Sequence, residues 1–293
     1  MKHILVVCDR SGGKNSALKR ALSLQEKTKA HITLLGFCYA DIKNPEDLEA
    51  AKLSRKDLEN FVLKQRNTEL KTLLKKEKLS AKQVTAKAVW SKDISKAICK
   101  FCENHDVDLV IKSGHRSETW MYTSTDWQLF RYCKSPVMIT AGKGWKKKPR
   151  ILAAVDLGSR NKAKIKLNHS VIEQAKALAH DLNDEVHLVY ALKVPEVLAD
   201  MDLIDPRKYV AEKRKKLAPL IEKLCEEYQL KKENVHIKQG DASKVVPSIA
   251  NKVKADALVC GSMARKGVKA KLMGNSAEAI VQKLYTDILV VKP

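Results

Sequence analysis

The sequence lacks any long apolar run. No stretch of its 293 residues approaches the roughly 20 apolar residues needed to cross a bilayer. Its first apolar run, Ile4-Leu5-Val6-Val7, is too short for a signal-peptide core and has no small-residue cleavage site behind it. No membrane insertion is predicted, and the expected location is the cytoplasm. The chain also lacks an even cysteine framework. Its seven cysteines, Cys8, Cys38, Cys99, Cys102, Cys133, Cys225 and Cys260, are scattered among apolar segments, as reduced and buried thiols are. Cys99 and Cys102 form a Cys-x-x-Cys inside an amphipathic stretch, where core packing is the expected role, since one such pair cannot complete a tetrahedral zinc site. Aromatic residues are only 5%, which leaves few platforms for stacking single strands. The eight histidines show no ligand spacing, and no Ser-His-Asp order or paired-carboxylate pattern stands out. Neither a metal site nor a catalytic residue is predicted.

What the chain has in excess is positive charge. Lys and Arg number 56 against 34 Asp and Glu, a net charge of +22. One reading is a polyanion partner such as nucleic acid. The other is a set of lysines solubilising helix faces. Arginine is scarce beside lysine, and arginine is the residue suited to bidentate phosphate and base contacts, so specific nucleic-acid recognition is the less favoured reading.

The chain repeats itself. Ile4-Leu-Val-Val-Cys-Asp9 resembles Ile151-Leu-Ala-Ala-Val-Asp156, Asp108-Leu-Val-Ile resembles Asp256-Ala-Leu-Val, and Ser135-Pro136-Val-Met-Ile resembles Asp287-Ile288-Leu-Val-Val. The spacing between partners stays near roughly 150 residues, too long for a solenoid and right for duplicated domains. Strands are expected near 3–8, 31–38, 83–89, 108–112 and 136–140, then 151–155, 186–191, 235–238, 257–260 and 288–292. Helices near 15–28, 46–78, 92–105 and 124–133 separate those of the first half. The strands are β-branched and apolar without polar alternation, as strands buried on both faces are. The alternation predicts an α/β fold of two tandem, doubly wound, five-stranded parallel-sheet domains. The first spans 1–141, a Gly- and Lys-rich linker spans 142–149, and the second spans 150–293.

In such a sheet ligands bind outside the carboxyl ends of the strands. The second domain offers Gly261-Ser-Met-Ala264-Arg265-Lys266-Gly267 followed by Gly274-Asn275-Ser276 at that edge. Glycines admit backbone amides close to a phosphate, Asn275 or Ser276 can cap the next helix, and Arg265 and Lys266 add positive charge. Asp156 is expected at the same edge, where it accepts a bond from a ribose or a base. At the matching place the first domain carries Glu118 and Tyr122, which close its pocket to phosphates.

These segments resemble the universal stress protein family, whose ATP-binding members carry Gly-x2-Gly-x9-Gly-[Ser/Thr]. Here the pattern is Gly261-x2-Ala264-x9-Gly274-Asn275, with the spacing intact. The resemblance covers both halves and is closest to the tandem-domain type. It implies a Rossmann-like, non-catalytic stress-response regulator with a role in resistance to DNA damage. The implied ligand is ATP, another adenine nucleotide or a small anion, bound in the second domain. It also implies a monomer in which the two domains make within one chain the contact that single-domain relatives make as dimers. Ala264 departs from the pattern: a left-handed backbone there costs an alanine roughly 1–2 kcal/mol. Asn275 departs too, since it lacks the hydroxyl. A competing motif, Ser11-Gly12-Gly13-Lys14-Asn15-Ser16, resembles the phosphate loop of PP-loop ATP-using enzymes, with Asn15 in place of that motif's Asp.

Overall fold

The computed structural model describes residues 1–10, 13–41, 45–114, 124–182, 185–263 and 275–293, except for the side chains of 45, 47, 180–182, 275 and 276. The chain forms two compact units, the first made mainly of residues up to Gly142 and the second mainly of residues from Lys143 onward.

The first unit follows the order β1 (His3–Val7), α1 (Ser16–Thr28), β2 (His31–Cys38), α2 (Pro45–Ala50), α3 (Arg55–Lys76), β3 (Val84–Trp90), α4 (Ile94–Asn104), β4 (Leu109–Ser113), α5 (Ser124–Tyr132) and β5 (Val137–Thr140). Its strands lie in the order β3-β2-β1-β4-β5, and every pair is parallel. Ile4, Leu5, Val110, Ile111 and Met138 are fully buried, the behaviour of central strands covered on both faces. Ala17, Leu18, Ala21 and Leu24 form the buried stripe of α1. The single helix expected over 46–78 is two. Lys52 turns left-handed at φ 54, and Ser54 opens α3 with a capping box: its hydroxyl accepts the Asp57 amide while the Asp57 carboxylate accepts the Ser54 amide.

The second unit repeats the plan with β6 (Ile151–Ala154), α6 (Lys162–Leu182), β7 (Val186–Leu192), α7 (Glu196–Asp200), α8 (Pro206–Glu227), β8 (Val235–Gln239), α9 (Ala242–Val253), β9 (Ala257–Gly261), α10 (Asn275–Gln282) and β10 (Asp287–Val291). The strand order is β8-β7-β6-β9-β10, again all parallel. The Lys-rich α8 buries Ile221 and Leu224 and turns its charges outward. Both expected five-stranded parallel sheets are therefore present. Among the described residues, no helix is long and apolar enough to cross a membrane.

Candidate functional site

The two sheets share a register, which fixes equivalent positions. Ile4 faces Leu109 as Ile151 faces Ala257, so Asp9 and Asp156 are counterparts, and so are Lys112 and Cys260, and Ser113 and Gly261. The two sheet edges differ in what these residues do.

In the second unit the carboxyl ends of β6, β7, β8 and β9 surround a cavity of about 370 Å³, lined by Asp156, Asn168, Tyr190, Lys193, Asp241 and Gly261 among others. That volume lies in the range of small-molecule sites. The turn carrying Asp156 is pinned from α6. The Asp156 amide donates to Asn168 Oδ1 at 2.9 Å, and Asn168 Nδ2 donates back to the Asp156 carbonyl at 2.9 Å. The carboxylate is thus presented at the rim, where Lys164 Nζ meets its Oδ2 at 3.0 Å. Tyr190 leans over the same turn, and its hydroxyl takes the Gly158 amide. Burial raises the phenol pKa, and the Asp156 charge adds to the shift. Beyond β8, Gly240 adopts φ +135°, which side-chain-bearing residues rarely reach. Asp241 follows as the N-cap of α9, accepting the Ser243 amide at 2.7 Å. The Ser243 bonds hold its carboxyl below the usual range, and Lys193 helps. At the end of β9, a Cβ on Gly261 would lie 2.5 Å from Leu167, so only glycine lets the strand end pack this close to α6. Ala277 and Ile280 bring the first turns of α10 to the cavity wall.

Two expected site residues, Asp156 and Gly261, therefore converge on one cavity. Asn275 and Ser276 open α10. Ala264, Arg265, Lys266 and Gly274 lie outside the described residues, as do Glu118 and Tyr122 of the first unit. Tyr190, Lys193 and Asp241 escaped the sequence reading. Their signal was position: each sits at or just past the carboxyl end of a strand, the edge already used to nominate Asp156.

The edge of the first unit is filled by its own side chains. Ser113, in the place of Gly261, accepts the Ala17 amide at 3.0 Å and the Ser16 hydroxyl at 2.9 Å, and Ser16 also meets Thr140 Oγ1 at 2.8 Å. Lys112, in the place of Cys260, is buried and pairs with Asp126 in the first turn of α5 at 2.9 Å. Asp9 is buried and accepts the Asn15 amide at 3.0 Å. The Gly13 and Asn15 amides, two of those a phosphate loop over Ser11–Ser16 would offer, are thus engaged by the Arg10 carbonyl and the Asp9 carboxylate; Ser11 and Gly12 themselves lie outside the described residues. A cleft of about 430 Å³ opens instead between this turn and α3, around Arg66, whose Nη2 donates to the Asp9 carbonyl at 2.6 Å and whose Nη1 meets Glu69 at 2.8 Å. Among the described residues, no group of three His, Cys, Asp or Glu is arranged to hold a metal.

Comparison with known proteins agrees with this duplicated architecture. The model of the universal stress protein family matches residues 1–141 and again 149–292. The chain is 29% identical to the universal stress protein E homolog of Haemophilus influenzae, over all of this chain and 97% of that one. It is 29% identical to universal stress protein E of Escherichia coli K12, over all of this chain and 94% of that one. Among solved structures, a functionally unknown protein from Pseudomonas aeruginosa PAO1 superposes with a TM-score of 0.71 at 26% identity, covering all of this chain and 93% of that one. With two matched segments spanning nearly its whole length, the chain belongs to the universal stress protein family.

Proposed function

We propose that the chain is a non-catalytic stress-response regulator that holds a small anionic ligand, with an adenine nucleotide such as ATP as the leading candidate, in the cavity of its second unit. The observation that supports this most directly is the convergence of Asp156, Gly261 and the start of α10 on one cavity at the strand ends. A helix start supplies unpaired amides for a phosphate, Gly261 gives the backbone room, and Asp156 is a rim acceptor for ribose or base. The segment bearing Ala264, Arg265, Lys266 and Gly274 joins β9 to α10 in sequence. The first unit, with Ser113 and Lys112 engaged by neighbours, is assigned no nucleotide.

Titration calorimetry of the full chain with ATP and ADP tests the reading, together with native mass spectrometry of gently purified protein. One equivalent is expected to bind. Asp156→Ala is expected to weaken binding by about tenfold, the loss of one charge-assisted hydrogen bond. Gly274→Leu is expected to abolish binding, and Tyr122→Ala to leave it unchanged. Two equivalents, or binding that survives Gly274→Leu, would reject the assignment to the second unit.

A further inference from the structure

The Cys-x-x-Cys of α4 is not isolated in the fold. Cys133, just past α5, places its sulfur 3.7 Å from that of Cys102 and donates its S–H to it. Cys99 and Cys133 are also hydrogen-bonded, and the Ser135 hydroxyl reaches Cys102. Two thiols of α4 and one from the turn after α5 thus meet at one point of the first unit. Cys102 and Cys133 are fully buried, whereas Cys99 is partly exposed. Core packing alone calls for small apolar side chains and needs no third sulfur. A metal is not the occupant this geometry suits, because no three such groups among the described residues are arranged as ligands.

We propose that Cys99, Cys102 and Cys133 form a dithiol–disulfide site whose co-substrate is a small hydroperoxide, with Cys99 as the entry thiol and Cys102–Cys133 as the final disulfide. In the first step the Cys99 thiolate attacks the outer peroxide oxygen. The O–O bond breaks, the alcohol or water leaves, and Cys99 becomes a sulfenic acid. The Cys133 sulfur then attacks the sulfenic sulfur, forming an S–S bond and expelling hydroxide, which leaves as water with the Cys133 proton. Finally, the Cys102 sulfur attacks Cys133 in that disulfide and Cys99 is released, taking up the Cys102 proton. Overall, two thiols lose two electrons and two protons, and one hydroperoxide is reduced to an alcohol (or water) plus water.

Hydrogen-bond polarity favours this order. Cys102 receives donors from Cys133 and Ser135, which lower its pKa against the opposing effect of burial, so it is the better final nucleophile. Cys133, held as the donor to Cys102, is pushed up to about 12, so it rests as a thiol, is not the first to meet the oxidant, and attacks the sulfenic sulfur only as its proton passes to the departing hydroxide. The helix macrodipole contributes little, because Cys99 lies well past the first turn of α4.

The test uses the full-length protein exposed to hydrogen peroxide, alkylated, digested and analysed by mass spectrometry. A Cys102–Cys133 cross-link that dithiothreitol reverses is expected, with Cys38 and Cys225, also partly exposed, remaining unlinked. Cys99→Ser, a change at a partly exposed position, is expected to slow cross-linking by about tenfold or more, since the buried pair then lacks its entry thiol. Cys102→Ser is expected to stop the reaction at a Cys99–Cys133 cross-link. Irreversible oxidation of Cys99 with Cys102 and Cys133 still alkylatable would overturn the proposal. So would an unchanged cross-linking rate in Cys99→Ser.

Discussion

Lys112 is a charge near the carboxyl end of a buried strand, where Asp126 meets it at 2.9 Å. Removing one partner leaves the other's charge less compensated in a low-dielectric interior, a loss of up to about 3–5 kcal/mol, whereas replacing both with apolar residues of similar volume is near neutral or stabilising. Lys112→Met alone should therefore lower the urea midpoint of the first unit sharply, and Lys112→Met with Asp126→Leu should recover most of the loss. Equal losses in the single and double variants would show that the pair contributes little through its charges. The corresponding position in the second unit is Cys260, which burial pushes up to about 12, so it is inert and uncharged. That one difference leaves the second edge without an internal ion pair at this place. Nucleotide binding as proposed for the second unit also puts Ala264 to the test. If its backbone is left-handed, Ala264→Gly relieves roughly 1–2 kcal/mol of strain, and ATP affinity measured by calorimetry should rise by up to about tenfold. No gain would mean that the backbone at Ala264 is one that alanine adopts freely.

At the scale of elements, β7 and β8 place two histidines against each other. His187 Nδ1 lies 3.1 Å from His236 Nε2, with the rings nearly parallel at 14°. One ring must donate and the other accept, so the contact survives with at most one of the two imidazoles protonated. Burial holds both pKa values down; His236 and Arg150 also lower that of His187, Lys252 also lowers that of His236, and Glu185 opposes on the His187 side. The unfolded chain therefore binds more protons than the folded one below the ordinary histidine pKa. This contribution is intact above about pH 6.5 and is lost as pH falls below it. Carboxylates with depressed pKa values, such as Asp241 and Glu185, lose their contribution only at lower pH, nearer the ordinary carboxylate range. His3 in the first unit is shifted down as well, so wild-type melts alone do not isolate the pair. His187→Gln with His236→Gln should reduce the drop in urea midpoint between about pH 7.5 and about pH 5. An unchanged drop would mean that other groups carry the pH dependence. Nothing in the sequence announced this pair. The strands themselves were legible from their apolar runs, but the β7–β8 register, which sets Val189 beside His236 and brings His187 onto the same face, depends on tertiary packing. The break between α2 and α3 was legible in principle, since Ser54 and Asp57 are a capping box three residues apart, but the long polar helical pattern masked it.

For the whole molecule, duplication was the strongest signal, because nearly constant spacing between three separate motif pairs leaves few alternatives to tandem domains. The site was only half legible. Asp156 and Gly261 were nominated by the rule that ligands sit at strand ends, while Cys133 joined Cys99 and Cys102 through helix packing that local spacing does not encode. The charge of +22 was legible as a number but not as a function. Some of the lysines are paired locally, as in Lys231 with Glu185 and Lys232 with Glu222. On α8 the basic residues Arg207, Lys208, Lys213, Arg214, Lys215 and Lys216 are exposed to solvent. Such a face attracts any polyanion through counterion release, without reading sequence. Duplex DNA should then bind weakly, at about 10–100 μM near physiological salt, with the same affinity for unrelated sequences. Affinity should fall at least about tenfold between about 50 and about 200 mM salt, as phosphate contacts are screened. Fluorescence anisotropy with two unrelated duplexes across a salt series measures both quantities. Reversing charges on α8, for example Lys215→Glu with Lys216→Glu, should flatten the salt dependence while leaving ATP binding at the second unit unchanged. Nanomolar, sequence-selective binding that persists at physiological salt would instead make nucleic acid the partner this charge serves, because counterion release alone gives neither selectivity nor salt resistance.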